Sequence, residues 1–479
     1  MLVFLQIMKS LVYSFLLLVL FFTACKKETF ITSPDARITI SADTLHFDTV
    51  FTSTGSVTQA FKIINENNQQ LRLNSVTLKG GNSSAFKINA DGTPGPAINN
   101  IEISANDSIY VFVNARINHN AGNLPFVVQD SIEITFNGNS RLVQLEAWGQ
   151  NANFLRNQKI TGNVTWNSPL PYVILGGLQI DTTATLTIEK GSRIYLHADA
   201  PILVDGSLKV NGEKQDSARV YFQGDRLDEP YKNFPGAWPG IYFRGRSKDN
   251  VLQYAVIKNA YQALVAEQPA VTINPKLTIK QCIIDNTYGA AIYGVRTSIT
   301  AENCLISNAA AEKNQGSNLF LVYGGTYNFR HCTVVSYSNT YIPHVNPVTT
   351  IANYVQPQPG SFLTADLTAN FTNCIFWGEN GPVDDEVVAF KQGSGIYSVN
   401  FTNCLWKVKT TPANSTSVAT LNNQTPLFDS VDVAKRFYNF RLKDGSPAIN
   451  KGINTGLLTD LDGNNRAVGL PDMGCYEKQ

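Results

Sequence analysis

A four-residue pattern returns along the second half of the chain and sets what that half can fold into. It reads Gln281-Cys282-Ile283-Ile284, Asn303-Cys304-Leu305-Ile306, His331-Cys332-Thr333-Val334, Asn373-Cys374-Ile375-Phe376 and Asn403-Cys404-Leu405-Trp406. Gln253-Tyr254-Ala255-Val256 falls in the same register, with Tyr in place of Cys. Repetition at roughly 20 to 50 residues marks a solenoid, and strand-only units parted by Gly and Asn bends predict a parallel β-helix. Each coil then stacks ~4.8 Å above the last, so equivalent side chains form columns. Asn accepts the left-handed backbone of a sharp bend, stacked amides can form hydrogen-bonded ladders, and Cys is a small hydrophobe suited to a crowded inward column.

The strand spacing begins near Phe154. Leu186–Tyr195, Ile202–Val210, Ala218–Phe222, Trp238–Phe243 and Leu252–Ile257 lead into the cysteine repeats. Residues 152–430 resemble the right-handed parallel β-helices of the pectate-lyase superfamily. Seven cysteines in an exported chain raise the question of disulfides. Five of these recur at one structural position, separated by 22, 28, 42 and 30 residues. Side chains stacked in register run parallel, which suits buried thiols better than the disulfide torsion of about 90°. No cysteine or histidine spacing fits zinc.

Residues 37–151 alternate differently. Seven runs (Arg37–Phe51, Gln59–Asn65, Leu71–Leu78, Phe86–Ala90, Ile101–Ile117, Phe126–Phe136 and Leu142–Trp148) are parted by turn signals such as Asp91-Gly92 and Asn137-Gly138. This predicts an antiparallel sandwich. The pattern Leu45-x-Phe47, Phe61-x-Ile63-x-Asn65, Ser84-x-Phe86-x-Ile88 and Asp130-Ser131-Ile132 resembles immunoglobulin-like modules of the abnormal-spindle and choice-of-anchor D type, which commonly act as spacers or binding units. The expected fold class is thus all-β: an Ig-like β-sandwich, then a right-handed parallel β-helix with a C-terminal capping segment.

Residues 1–24 read as a targeting segment. Lys9 precedes an apolar run, Leu16–Phe22, that is far too short to span a bilayer, which needs ~20 apolar residues. Phe22-Thr23-Ala24-Cys25 resembles the lipobox of bacterial lipoproteins, with Phe22 departing from the usual aliphatic residue. The resemblance implies cleavage before Cys25, acylation of that cysteine, and stable anchoring to a bilayer. The alternative is an ordinary secretory signal with an incidental cysteine. Residues 25–36 then form a lipidated tether, and the expected location is the cell envelope at the outer membrane, in either leaflet. The formal charge of +1 over 479 residues, with no basic stripe, argues against nucleic acid as a partner.

Residues 431–479 carry Gly445-Ser446-Pro447-Ala448-Ile449-Asn450-Lys451-Gly452, Asp460-Leu461-Asp462-Gly463-Asn464-Asn465-Arg466 and Asp472-Met473-Gly474-Cys475-Tyr476-Glu477. These resemble the choice-of-anchor Q segment of bacterial β-helix surface proteins, with Cys475 for Ala and Asn450 for Asp. Asp460, Asp462 and Asn464 alternate like calcium ligands, but Pro471 stands where an EF-hand needs its acidic twelfth ligand. The reading adopted is a tight turn held by Arg466 with Asp472 or Glu477, closing the open solenoid end, with no cofactor; calcium is the alternative.

Catalysis has little support in the sequence. There is no Gly-His-Gly, no paired Asp within one strand repeat and no Arg-x-Lys on a late coil. Segments 309–317, 339–361 and 378–395 are expected to leave the coil after the same strand and to line one face, as insertions in solenoids do. They carry Tyr341, His344, Tyr354, Asp384, Asp385, Glu386 and Lys391, groups suited to a polysaccharide or, equally, to loop packing. A non-catalytic glycan-binding, adhesion or structural role is expected, the alternative being a lyase or glycoside hydrolase acting on acidic polysaccharide. Asp-Ser/Thr-aliphatic triplets at Thr44, Thr49, Ser108, Ser131, Ser217 and Ser430 resemble the O-glycosylation acceptor of Bacteroidota. Strand starts also produce such triplets by composition alone.

Overall fold

The computed structural model describes residues 29–479 except 53–54, 119–121, 123–124, 314–315 and 467. Cys25 and the segment before it lie outside the described residues. The chain divides into two compact units, Met1–Gln150 and Asn151–Gln479. The protein is all-β.

The first unit holds two five-stranded sheets. One runs in the order Ile38–Ile40, Gln59–Asn65, Ser108–Ala115, Phe86–Ala90, Thr93–Pro94; the other runs Thr44–Phe51, Asn139–Gln150, Phe126–Phe136, Leu71–Leu78, Ala97–Ile103. Pairing is antiparallel except between Thr44–Phe51 and Asn139–Gln150. Side chains from both sheets, including Phe47, Phe61, Phe86, Leu73, Val113 and Ile134, form one core. Ile132, Ile134 and Phe136 point in while Ser131, Glu133 and Thr135 point out, the alternation expected of a half-wet strand. Two runs read from sequence as single strands are in fact pairs. Arg37–Phe51 breaks at Ser41–Asp43 and Ile101–Ile117 breaks at Ser104–Asp107, the first piece of the latter beginning earlier, at Ala97; in each case the two pieces enter different sheets. Alternation keeps its phase across the second break, so periodicity does not reveal it, and slips by one residue across the first, between Ala42 and Leu45.

The second unit is built on a 26-stranded sheet, parallel throughout and compatible with a β-helix. Its strands fall into three stacks. Stack A includes Leu277–Lys280, Leu367–Thr372 and Tyr397–Thr402; stack B includes Ala255–Lys258, Ile283–Asp285, Leu305–Ser307, Thr333–Tyr337, Ile375–Glu379 and Leu405–Trp406; stack C includes Ile202–Val204, Ile241–Phe243, Leu264–Glu267, Thr349–Ala352 and Val387–Phe390. Ile292–Glu302 and Leu319–Arg330 serve stack C with their first halves and stack A with their second.

The A-to-B corner is a single residue with positive φ: Tyr254 (47°), Gln281 (46°), Asn303 (53°), His331 (51°), Asn373 (54°) and Asn403 (50°). The next residue turns inward, and Cys282, Cys304, Cys332, Cys374 and Cys404 are free thiols in the core. Each thiol lies beside the carbonyl two residues back, as Cys304 Sγ does to Glu302 O at 3.3 Å and Cys404 Sγ to Thr402 O at 3.5 Å. Cys thus fills the column and adds a weak donor to a carbonyl that already accepts the corner N–H of the preceding coil, as Glu302 O does from Gln281 and Thr402 O from Asn373. Burial pushes the thiols of Cys282, Cys304, Cys332 and Cys374 up, so they stay neutral.

Val256 pairs with Ile283, which places Ala255 opposite Cys282 and Tyr254 opposite Gln281. Ala therefore replaces Cys in that coil, and Tyr254 takes the corner. The amide ladder also lies elsewhere: Asn400 Nδ2 donates to Asn370 Oδ1, and Asn370 Nδ2 to Asn328 Oδ1, each at 3.0 Å, on the outer side of stack A. The corner amides are engaged by the C-terminal segment instead.

That segment does not close the solenoid end. Running against the winding direction, its carbonyls at Lys451, Ile453 and Thr459 accept hydrogen bonds from Asn403, Asn373 and Asn303 in turn. Leu461 O accepts from Arg219. Phe428, Phe440, Leu442, Leu461, Met473 and Cys475 then bury the outward side chains Leu305, Val335, Ile375, Trp377 and Leu405 of stack B in a second core. The Arg466 guanidinium, fully buried, donates to Asn303 Oδ1 at 2.7 and 3.0 Å and to Glu477 Oε2 at 3.0 Å. Asp472 takes no part in that pair; it accepts the N–H groups of Asn450 and Lys478. Asp460 Oδ1 accepts the N–H groups of Asp462 and Asn464, and Oδ2 that of Glu477, so its carboxylate holds a turn.

Candidate functional site

The outward columns of the three stacks differ in chemistry. Stack A presents Lys209, Val251, Thr278, Thr300, Asn328, Asn370 and Asn400, a face that is polar at all but one position and suited to water. Stack B is apolar and covered. Stack C presents Leu203, Tyr242, Val265, Tyr293, Phe320, Thr350 and Val388 in register, and most of these are half-buried rather than covered. Each aromatic sits between two inward residues, as in Ile241-Tyr242-Phe243 and Leu319-Phe320-Leu321, so inward packing fixes its direction outward.

The rings of Tyr293 and Phe320 lie 5.2 Å apart. Alongside them Tyr261 and Tyr288 stack at 5.5 Å, and the Tyr288 hydroxyl donates to Glu312. Burial, aided by Tyr261 and Glu267, pushes the Tyr242 hydroxyl up, and burial with Glu267 does the same at Tyr293. Both phenols therefore remain neutral donors across physiological pH. On the far flank a groove of about 460 Å³ is lined by Glu267, Gln268, Pro269, Val295, Arg296 and Tyr323. The result is a row of aromatic faces bordered by carboxylates, amides and a guanidinium. It can stack on a flat apolar ring face and hydrogen-bond its rim. Among the described residues no group of three or more His, Cys, Asp or Glu side chains could hold a metal.

The seven loop residues do not share a face. Segments 308–318, 338–348 and 380–386 leave at the B-to-C corner, but the hairpin of Tyr354–Gln358 and Ser361–Thr364 leaves after stack C, as does Lys391. Tyr354 packs edge-on against Phe362 at 5.3 Å, and Lys391 lies 5.8 Å from the Tyr397 ring. His344 and Glu386 are buried, with Nε2 to Oε1 at 2.8 Å, and Val348 N–H also donates to Glu386. They hold two loops together and face no ligand. Asp385 accepts the N–H groups of Lys409 and Thr410, leaving Asp384 in solvent. Tyr341 packs on Phe234 at 4.9 Å and under Arg436 at 4.8 Å. None of Thr44, Thr49, Ser108, Ser131 and Ser430 is buried, and Ser217 is exposed.

The stack C aromatics lie outside the cysteine repeat; their signal in the sequence is a ring flanked by apolar or small residues at 242, 293 and 320, in three of the seven strands of that column. The contact of His197 Nδ1 with Asp225 Oδ2 at 2.7 Å has no such signal, since the pair is 28 residues apart in sequence.

No family model and no curated protein matches the chain. Among solved structures, one similar chain is a family 123 glycoside hydrolase from Clostridium perfringens, at 12% identity and TM-score 0.19, covering 28% of this chain and 30% of that one. Another is the ASH/PapD-like domain of human CEP192, at 12% identity and TM-score 0.17, covering 26% of this chain and 92% of that one. A third is a protein of unknown function from Porphyromonas gingivalis W83, at 10% identity and TM-score 0.18, covering 26% and 60%. The chain spans under a third of the hydrolase's length, and scores this low carry no argument about fold or function.

Proposed function

We propose that this is a cell-envelope lipoprotein, anchored through Cys25 at the outer membrane, whose second unit binds an extended glycan along stack C without turning it over. The observation that carries the binding role is the outward row Tyr242, Tyr293 and Phe320. Tyr242 and Tyr293 are two coils apart, about 10 Å, close to the length of a disaccharide step in an extended chain. Tyr242 and Tyr293 thus meet alternate sugar units, Phe320 extends the row by one coil, and the flanking Glu267, Arg296 and Glu312 address hydroxyls. In this reading the first unit is an Ig-like spacer of the abnormal-spindle or choice-of-anchor D kind. The second is a right-handed helix of the pectate-lyase type, and residues 431–479 are its choice-of-anchor Q segment. Thr44, Thr49, Ser108, Ser131, Ser217 and Ser430 are O-glycan acceptors.

The second reading, a lyase or hydrolase acting on acidic polysaccharide, draws on the His197–Asp225 pair, because a carboxylate on Nδ1 leaves Nε2 free to take a proton. A glycan array with the intact protein and with Tyr293→Ala/Phe320→Ala tests the first. Retention lost in the variant is expected. Equal retention by both proteins, or none by the intact one, refutes glycan binding at stack C. Unsaturated uronate products lost in His197→Ala would favour the second.

A further inference from the structure

A second site lies away from stack C. We propose that the opening between the 226–234 loop and the C-terminal hairpin Phe428–Asp432/Phe437–Leu442 binds a small, hydroxyl-rich anion, a sugar bearing a carboxylate or a phosphate ester. The cavity has a volume of about 440 Å³, the scale of one or two sugar rings. Its walls carry four cationic side chains, Arg226, Lys232, Lys258 and Arg436, against one carboxylate, Asp285. On a chain whose whole charge is +1, that is a local excess, and a concave wall focuses it.

The four cations come from three separate elements. Arg226 and Lys232 stand on the loop, Lys258 ends a stack B strand, and Arg436 caps the hairpin turn. Lys232 pairs with Glu229 on the surface, a contact worth little, so an incoming anion can compete for it. Arg226 is held bidentate by Asp228 at 2.7 and 2.8 Å, so the anion's charge falls chiefly to Lys232, Lys258 and Arg436. Asp285 is occupied by Ser307 Oγ at 2.7 Å and Asn308 Nδ2 at 3.1 Å.

The frame around these charges is fixed before any ligand arrives. Asn259, Asn286 and Asn308 turn the B-to-C corner at positive φ (62°, 57° and 48°). Asn286 Nδ2 donates to Asn259 Oδ1 at 2.7 Å and to Asn233 O at 2.9 Å, and Asn259 Nδ2 to Lys232 O at 2.6 Å. Those bonds pin the loop that holds two of the cations, which lowers the ordering cost of binding. Tyr195, Gln223 and Tyr438 supply ring faces and hydrogen-bonding groups on the remaining wall. Cations suit an anion, while amides and phenols suit hydroxyls. A sugar acid or a sugar phosphate satisfies both, and neither bare phosphate nor a neutral sugar does.

Calorimetric titration of the intact protein with D-glucuronate, glucose 6-phosphate, glucose and inorganic phosphate tests this. At least one sugar anion is expected to bind more tightly than glucose and than inorganic phosphate by about tenfold or more, with affinity falling as salt rises. Lys258→Gln and Arg436→Gln should each weaken it about tenfold, with unchanged thermal unfolding as the control on folding. Tyr293→Ala should leave it untouched, which separates this site from the glycan row of stack C. The proposal is overturned if glucose or inorganic phosphate binds as well as both sugar anions, if no probe binds, or if both variants keep full affinity.

Discussion

His331 allows the contact between solenoid and C-terminal segment to be tested with acid. Its ring is fully buried under that segment. Asp472 O can only accept, so Nδ1, 3.1 Å away, carries the proton; Nε2 then accepts from Asn373 Nδ2 at 2.8 Å and faces the Thr455 hydroxyl at 3.1 Å. A second proton on Nε2 would point at a donor, in a site already flanked by Arg466 and Arg330. Burial, with those two guanidinium groups, holds the pKa down to about 2. The unfolded imidazole titrates near 6.5, so below that pH the unfolded state binds the extra proton. Stability is therefore complete above about pH 6.5 and is lost as pH falls, by roughly 2 kcal/mol at pH 5 and ~1.4 kcal/mol per further unit. His331→Asn isolates the effect, because Asn occupies this corner in neighbouring coils and does not titrate. The stability difference between wild type and variant should shift by about 2 kcal/mol between pH 7.5 and 5, measured by urea unfolding with hydrogen exchange over residues 451–461. Parallel pH curves for the two proteins would show that His331 is not buried neutral beneath the segment.

Other perturbations have equally definite outcomes. Cys304→Ala should cost roughly 1 kcal/mol by leaving a void, and Cys304→Asp several times that; chemical denaturation reads both, and disulfide-linked peptides in unreduced digests would contradict the thiol column. Lys276, buried, donates from Nζ to the carbonyls of Arg244, Gly245 and Glu267 at 3.2, 2.9 and 2.7 Å. Lys276→Met removes all three bonds, though Arg244 O keeps the Ser247 N–H, and should lower stability by about 2 kcal/mol or more, whereas an unchanged urea midpoint would refute the cage. Cys25→Ser should release the protein from membranes, and palmitate label retained by that variant would end the lipoprotein reading. Replacing Thr44, Thr49, Ser108 and Ser131 with Ala should remove hexose-sized increments from the native mass, and a native mass free of them excludes glycosylation.

Much of the coil repeat was legible in the sequence because one physical demand recurs in each turn. A one-residue corner needs a positive φ, and the inward step after it needs a small side chain. Tyr254 escaped that rule, since its phenol, packed against Arg219, hides a corner position behind an unusual residue. The burial of stack B on both faces is written in the sequence too. Cys374-Ile375-Phe376-Trp377 is apolar at every position, which a strand with one wet face would not be. What covers it was not legible, because the Arg466–Asn303 contact joins residues 163 apart with no periodicity between them. The loop residues misled for a related reason. His344 and Glu386 are polar and sit in insertions, yet each neutralises the other's burial cost, and composition cannot separate a buried pair from a wet one.

A plain solenoid is nearly one-dimensional: each coil answers only to its neighbours, and ends can fray while the middle persists. The C-terminal segment removes that independence. Because residues 451–461 touch corners from Asn403 back toward Arg219, residues made later complete contacts for coils made long before them. Fraying of the final coils must break bonds to the early ones, so the unit should unfold in one step rather than coil by coil. Folding carries the matching burden of high contact order. Until residues 428–475 are in place, the outer apolar row of stack B stays uncovered, a sticky, aggregation-prone intermediate.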